Sequence, residues 1–562
     1  MQILKRKGPS GPDLPVPGRF PLDQPLLRLS ANPADNWTVA DSFEHLLCCG
    51  ATGSGKTSGS GSAVGEAFLA ARYGGLVVCA KQDEADRWVK IAQACGRAQS
   101  VIRFDATGRW RFNFLDYLMS LPREMGGGLV DNVVSTLMRV LEAAHSSSSN
   151  GGQSEAPDFW TKSNRDLLSN AVGSLYHAHG RVRLDELMQL VNSVPVSEEQ
   201  SHTADFQSWS FCFATMKKLF TDPAIPISTR EAKLYATYFG QSFGRLDQKT
   251  RSNMVITLNA EIGVFLREPL HSLFCTDTNV IPEVTHEGVI LILDLPIKRY
   301  EQMGVIAQLL IKYLWQKATE RRNIDANSRP VFLFADEAQL FVSTYDLEFL
   351  GTARSARAAT VYLTQNLPSL YARLGGRNPQ DQADAILGNF QTKIFHSNTD
   401  HRTNQWAADM IGRALHQRRS ANWSQGLSAQ SSVGRNGGST TQRGENEGSS
   451  WGSSHGSSVS GNSEHVQFSY NMSRNAGGQK GTSTSRSRSR GWSDGESVGS
   501  SNSNGGGWSE QMDYVIQPAF FANGLLQGGT RNNRFVSAVL VQGNRTFSRT
   551  GTCWTPVVFQ QH

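Results

Sequence analysis

Short apolar runs and amphipathic stretches alternate along the first part of the chain. "FEHLLCCG" reads as a buried strand entering glycines, and "SAVGEAFLAARYG" as the helix after it. "GLVVCA" and "SVIRFD" read as two further strands. Near-continuous apolar strands separated by helical periodicity predict a parallel sheet covered on both faces. The rhythm then changes. "VDNVVSTLMRVLEAAH", "FWTKSNRDLLSNAVGSLYHAH" and "RLDELMQLVNSV" all carry helical periodicity, so 116–285 reads as a helical domain inserted between sheet strands.

The sheet pattern resumes with "GVILILDLP", the amphipathic "MGVIAQLLIKYLWQKATERR", and strands in "PVFLFADEAQ", "AATVYLTQN" and "QTKIFHSN". Residues 41–115 and 286–419 therefore form one core. From 420 to 509 the composition collapses to Ser, Gly, Asn and Arg, which predicts a disordered insertion. "NRFVSAVLVQGNRTFSRTG" has hairpin character and brings 510–562 back to the core. Residues 1–40, basic and then rich in Pro and Gly, read as an extended arm.

Composition adds bounds. The chain has 562 residues, enough for more than one domain, and a net charge of +6. That balance permits a nucleic-acid partner and equally fits ordinary solvated Lys and Arg. The cysteines are scattered and none forms a C-x-x-C pair, which argues against a zinc site or a disulfide framework. No apolar run is long enough for a transmembrane segment, and the N-terminus lacks the apolar stretch of a secretory signal. The expected location is cytoplasmic, or peripheral to the inner membrane through a partner.

The chemistry concentrates in Gly50-Ala51-Thr52-Gly53-Ser54-Gly55-Lys56-Thr57, which fits G-x-x-x-x-G-K-[ST] between a strand and a helix. Glycines let backbone N–H groups turn onto phosphate oxygens; the lysine reaches the β and γ phosphates, and the threonine ligates Mg²⁺. ATP and Mg²⁺ are the expected ligands. "VFLFADEAQ" supplies the acidic pair such a site needs, Asp336 for the Mg²⁺ shell and Glu337 to polarise the attacking water. Gln365 ends the next strand and is either a γ-phosphate or water contact or a strand-end cap. Arg354 and Arg357 stand three apart in "TARSARAAT", on one face if helical. They are either a solvated face or the source of an arginine acting on a neighbouring subunit's nucleotide, with Arg357 slightly preferred for its closeness to the Gln365 strand.

Taken together, "HLLCCGATGSGKT", "LVVCAKQDE", "FLFADEAQ", "GTARSARAATVYLTQNLPSL" and "KIFHSNTDHRTNQWAADMIG" resemble the motor domains of type IV secretion coupling proteins. These are the conjugative DNA-transfer ATPases of the TraD/TraG class, within the wider HerA/FtsK-like P-loop motors. The resemblance implies a RecA-like α/β P-loop ATPase core with an inserted all-α domain. It also implies a homo-hexameric ring passing DNA, single- or double-stranded, or nucleoprotein through its centre, with membrane-bound secretion or relaxosome partners. A HerA/FtsK-like translocase in repair, replication or defence shares the core. An ATP switch without translocation is a further alternative, though Glu337 and Gln365 suit repeated hydrolysis. The spaced Trp423, Trp451, Trp492 and Trp508, with nearby arginines, suit single-stranded nucleic acid; Ser and Gly dominance favours a plain solvated loop.

Overall fold

The computed structural model describes residues 19–148, 158–374, 378–432, 441–460, 467–486 and 495–561. They fall into two units, Met1–Gln405 with Pro518–His562, and Trp406–Gln517.

In the first unit, β1 (Pro25–Leu27) and β2 (Trp37–Thr38) pair as a small antiparallel ribbon. The main strands are β3 (Leu46–Cys49), β4 (Gly74–Val78), β5 (Val101–Asp105), β6 (Ile290–Asp294), β7 (Val331–Ala335), β8 (Ala358–Thr364) and β9 (Thr392–Phe395). After the second unit, whose strands take the labels β10 to β13, come β14 (Phe535–Gln542) and β15 (Trp554–Gln560). They form one nine-stranded sheet in the order β15-β14-β9-β3-β8-β7-β4-β6-β5. The strands from β3 to β9 run parallel, and β14 and β15 add an antiparallel edge.

Every residue of β4, β7 and β8 is buried, which is why these strands read as unbroken apolar runs. On one face Phe68 and Trp88, from the helices Ser62–Ala70 and Glu84–Ala94, stack on Phe332 of β7 at 5.1 and 5.7 Å. The helix Ile297–Glu320 runs between β6 and β7, and its side chains from Val305 to Leu310 are all buried. The strand order decides where chemistry gathers. β8 lies between β3 and β7, so the glycine-loop strand, the glutamine strand and the acidic strand end side by side. Ligands of parallel sheets bind beyond these carboxyl ends.

Between β5 and β6 the described elements are all helical, from Phe114–Ser120 to Leu270–Phe274, with a 3-10 turn at Pro282–Glu287. Several of these helices are short and start on a capping side chain. Thr203, Ser210, Ser228 and Asp247 each accept a hydrogen bond from the first-turn backbone. The long helix Asp158–His179 buries Leu167, Leu168, Ala171, Val172 and Leu175, the stripe its periodicity predicts.

The structure changes three local expectations. Residues 19–40 of the expected arm are docked rather than extended: Trp37 is fully buried and its indole donates to Thr392 Oγ1 at 3.1 Å. Residues 1–18 lie outside the described residues. The predicted hairpin does not close within "NRFVSAVLVQGNRTFSRTG"; β14 pairs instead with β15 downstream, and the stretch after Gln542 forms the connection. Arg545 in that connection donates to Ala34 O, Asn36 O and Asp41 Oδ2, tying the two chain ends together. The helix before Arg354 ends at Thr352, so Arg354 and Arg357 do not share a helical face.

The second unit carries the Ser/Gly-rich segment expected as a disordered insertion; its described residues form strands instead. Four antiparallel strands, β10 (Arg413–Ser432), β11 (Thr441–Ser460), β12 (Gln467–Arg486) and β13 (Gly495–Tyr514), lie in the order β10-β13-β12-β11. Main-chain pairing uses groups that every non-proline residue carries, so a chain with few apolar residues still forms a ladder. The side chains of Trp423, Trp451, Trp492 and Trp508 lie outside those described.

One buried polar network fixes the loop after β7. The Lys312 ammonium donates to Asp346 Oδ2 at 2.6 Å and to Phe341 O at 2.7 Å, and Gln316 donates to Asp346 Oδ1 at 2.7 Å. Both charges are almost wholly shielded from water. Lys312→Met should therefore strand a buried carboxylate and cost about 3–5 kcal/mol of stability. The denaturation midpoint reads this directly, and an unchanged midpoint would reject the assignment.

Candidate nucleotide site

The glycine loop leaves β3 and turns over the carboxyl edge of the sheet. Gly53 and Gly55 have φ of 79° and 86°, the left-handed region that an L side chain occupies only under strain. At Gly50 a Cβ would stand 2.8 Å from His396 Cβ, and at Gly55 it would overlap Val536. The loop is thus closed beneath by His396, just past the end of β9, and by Val536 of β14. Ser60 joins this floor, 2.8 Å from His396 Nε2. Burial and the nearby Lys56 charge push the His396 pKa down to about 3, so this histidine sits neutral under the loop. Gly50 N donates to Thr364 O and Ala51 N to Ser397 O, at 3.2 and 3.0 Å, pinning the loop to both neighbouring strands.

The expected site residues converge. Thr57 donates to Asp336 Oδ2 at 2.8 Å, joining the end of the loop to the end of β7. Lys56 lies 3.9 Å from Glu337 Oε1. Gln365 donates to Glu337 Oε2 at 3.2 Å, and its own carbonyl accepts from Asn398 at 2.8 Å. Glu337 itself is held at φ 54°, ψ 48°, a left-handed conformation costing ~1–2 kcal/mol for a residue with a Cβ.

Three participants had no role assigned from sequence. Lys81, just after β4, lies 3.0 Å from Glu337 Oε1. Arg87 lies 3.7 Å from Asp336 Oδ2. Gln339 donates to Glu337 Oε2 at 2.8 Å while accepting from Thr364 Oγ1 at 3.0 Å. Burial works to raise the Glu337 pKa, but the Gln339 hydrogen bond and the charges of Lys56 and Lys81 outweigh it and hold the carboxyl below its usual range. Lys81 is held above the ordinary lysine range, its partial burial outweighed by Glu337 and Asp336. Glu84, nearly fully buried and close to Asp336, is pushed up to about 8, chiefly by burial. The sequence signal for Lys81 was its place in "AKQDE" at the end of an apolar strand; Arg87 and Gln339 carried none.

These residues fit a nucleotide with its metal. Gly53 faces open space, and the buried Ser54 Oγ has no hydrogen-bond partner in the protein. Thr57 and Asp336 offer hard oxygen donors side by side, the donor set Mg²⁺ takes.

The two arginines lie elsewhere. Both precede β8, at the opposite end of the parallel strands. Arg357 has φ 49° and donates to Ala326 O and Ser328 O at 3.1 and 3.0 Å, so its guanidinium is already engaged by backbone. Arg354 is 71% exposed, pairs with Glu44 at 3.2 Å, and lines a cavity of about 630 Å³ with Asp41, Gln391, Gln542 and Arg545.

Comparison with known proteins adds a match over part of the chain. Residues 330–449 match the family described as the TraM recognition site of TraD and TraG. The TraD/TraG resemblance holds. The matched stretch includes β7 with Asp336 and Glu337, β8 with its following Gln365, and β9. Among solved structures, the chain is similar to the bacterial conjugative coupling protein TrwBdeltaN70 in an unbound monoclinic form. Identity is 14%, with 97% of this chain and 88% of that chain covered and a TM-score of 0.48. It is also similar to the plasmid coupling protein TrwB in complex with ADP and Mg²⁺, at 13% identity, 99% and 97% coverage and a TM-score of 0.47. A third similarity is to VirB4 of Thermoanaerobacter pseudethanolicus, at 12% identity, 66% and 85% coverage and a TM-score of 0.37. No curated protein matches the chain. Among the described residues, no helix is long and apolar enough to cross a membrane.

Lys56→Ala removes the one loop cation that the fold buries beside Glu337. Affinity for Mg²⁺-nucleotide should fall about 10- to 100-fold, the worth of a hydrogen bond to a charged group. Titration with a fluorescent nucleotide measures it; wild-type affinity in a folded variant would sink the site.

Proposed function

We propose that the chain is an ATP-driven motor of the conjugative coupling type that translocates DNA or nucleoprotein. The observation that carries the reading is the convergence of Lys56, Thr57, Asp336, Glu337 and Gln365 at one sheet edge. In this reading Lys56 and the loop amides bind the phosphates. Thr57 and Asp336 hold Mg²⁺, which when bound draws charge from the phosphate oxygens. Glu337, already ionised by its surroundings, orients the attacking water. Gln365 touches Glu337 and, through its carbonyl, Asn398 just past β9; in this reading it reports whether the γ-phosphate is present.

DNA as substrate comes from the TraD/TraG resemblance and from the net charge of +6. The ring is proposed as a homo-hexamer. A relaxosome partner is proposed for the segment 330–449, whose family description names TraM recognition. Placement at the cytoplasmic side of the inner membrane would then come through a secretion partner. Of the two arginines we now favour Arg354 as the one acting on a neighbour's nucleotide, because it is exposed and Arg357 is occupied.

DNA should raise the ATPase rate of the purified chain severalfold, with Glu337→Gln as a variant that binds ATP and does not turn it over. A rate indifferent to DNA of either strandedness would favour an ATP switch over a motor. Mixed rings test the interface. Arg354→Ala and Lys56→Ala subunits, each inactive alone, should recover activity together, because some interfaces then pair an intact loop with an intact arginine. Absence of recovery in confirmed mixed oligomers would make the Arg354 lesion local.

A further inference from the structure

Glu337 is crowded in a way that an unencumbered water-orienting carboxylate would not be. Lys81 and Lys56 lie on its Oε1 at 3.0 and 3.9 Å, and Gln339 and Gln365 donate to its Oε2 at 2.8 and 3.2 Å. For the carboxylate to take a water, one of these partners must leave. The two lysines differ in their freedom to do so. The Lys56 side chain is 6% exposed, whereas that of Lys81 is 43% exposed. Glu337 keeps Lys56, Gln339 and Gln365 around it when Lys81 leaves, and Lys81 is the one ammonium of the two with access to solvent.

The backbone carrying Lys81 is, by contrast, fixed. Gln308 accepts from Cys79 N at 2.7 Å and donates to Cys79 O at 2.9 Å. Glu84 accepts from Ala80 N at 2.7 Å, and Lys298 N donates to Ala80 O at 3.2 Å. A rigid stem therefore presents a single movable ammonium beside the loop lysine, around the same carboxylate oxygen.

We propose that Lys81 is a second lysine for the terminal phosphate of the nucleotide: it leaves Glu337 for the γ-phosphate when ATP binds, and returns when only ADP remains. The inference rests on the ATP-site reading above. The exchange forms one lysine–phosphate ion pair and breaks one lysine–carboxylate pair, with no proton moved. A compact ammonium with three donors suits a phosphate oxygen as well as a carboxylate, and the β-phosphate end of ADP brings no group to the position that the γ-phosphate fills. The switch thereby makes Glu337 available for water only when there is a phosphate to attack.

The test is nucleotide preference. Affinities for Mg²⁺-ADP and for a non-hydrolysable Mg²⁺-ATP analogue are measured by calorimetry on the full chain and on Lys81→Met. The proposal expects unchanged ADP affinity and an about 10-fold weaker ATP analogue, the worth of one charge-assisted hydrogen bond. Equal loss for both nucleotides, or loss of neither, overturns it. The same pair is then measured on a Glu337→Gln background. If Lys81 meets the phosphate, Lys81→Met still costs analogue affinity there; if the effect disappears, Lys81 acts only through Glu337 and the proposal fails. Wild-type chain that binds neither nucleotide would instead sink the ATP-site reading itself, and Lys56→Ala losing both nucleotides while Lys81→Met changes neither would keep that reading and discard this one.

Discussion

Two adjacent carboxylates, Asp336 and Glu337, sit almost wholly buried at the end of an apolar strand. Burying one charge without partners costs several kcal/mol, and burying two neighbours of like sign is worse. The structure around them answers that constraint. Thr57 and Arg87 face Asp336; Lys56, Lys81, Gln339 and Gln365 face Glu337. These partners come from the glycine loop, the end of β4 and the helix after it, the turn after β7, and the end of β8. No smaller part of the fold holds them all, so the parallel sheet with β8 between β3 and β7 is what makes the acidic pair tolerable.

The same constraint explains why the chain returns to its core after so long an excursion. The glycine loop needs a floor on the side of β14, and Val536 packs so closely there that a side chain at Gly55 or Gly59 would collide with it. Gln561 reaches further and donates to Ser58 Oγ at 2.7 Å. Val536 and Gln561 thus complete the floor of the glycine loop without contributing a charge to it. The loop helix begins with a wide π turn over Lys56–Gly61, the kind of irregularity that recurs at functional sites and that the small residues Gly59 and Gly61 permit.

Where partners are close in sequence or follow a fixed pattern, the sequence was readable. The glycine loop, the acidic pair and Gln365 each follow a short apolar run, and each side chain is placed by its own strand end. Lys81 was visible as a lysine in a suggestive turn, but its contact with Glu337 spans 256 residues, and nothing local specifies it. Gln339 serves the site only because β8 brings Thr364 beside it. The arginines stand apart from one another for a related reason. "TARSARAAT" has helical composition, yet the helix stops at Thr352 because the chain must turn into β8, and Arg357 is spent on the backbone carbonyls of Ala326 and Ser328 in the stretch before β7.

The sequence by itself determined the α/β pattern, the helical stretch between β5 and β6, and which side chains stand at the ends of β3, β7 and β8. These depend on periodicity and on side chains adjacent along the chain, which a linear reading contains. Only the tertiary structure decided which strand ends are neighbours, that Trp37 docks the N-terminal segment on Thr392 of β9 while Arg545 ties it to the stretch after β14, and that Glu337 is clasped from several directions. Apart from Gln339 and Gln365 on Glu337, those are contacts between residues hundreds of positions apart, and their energy depends on burial and mutual distance, quantities that exist only once the sheet has formed.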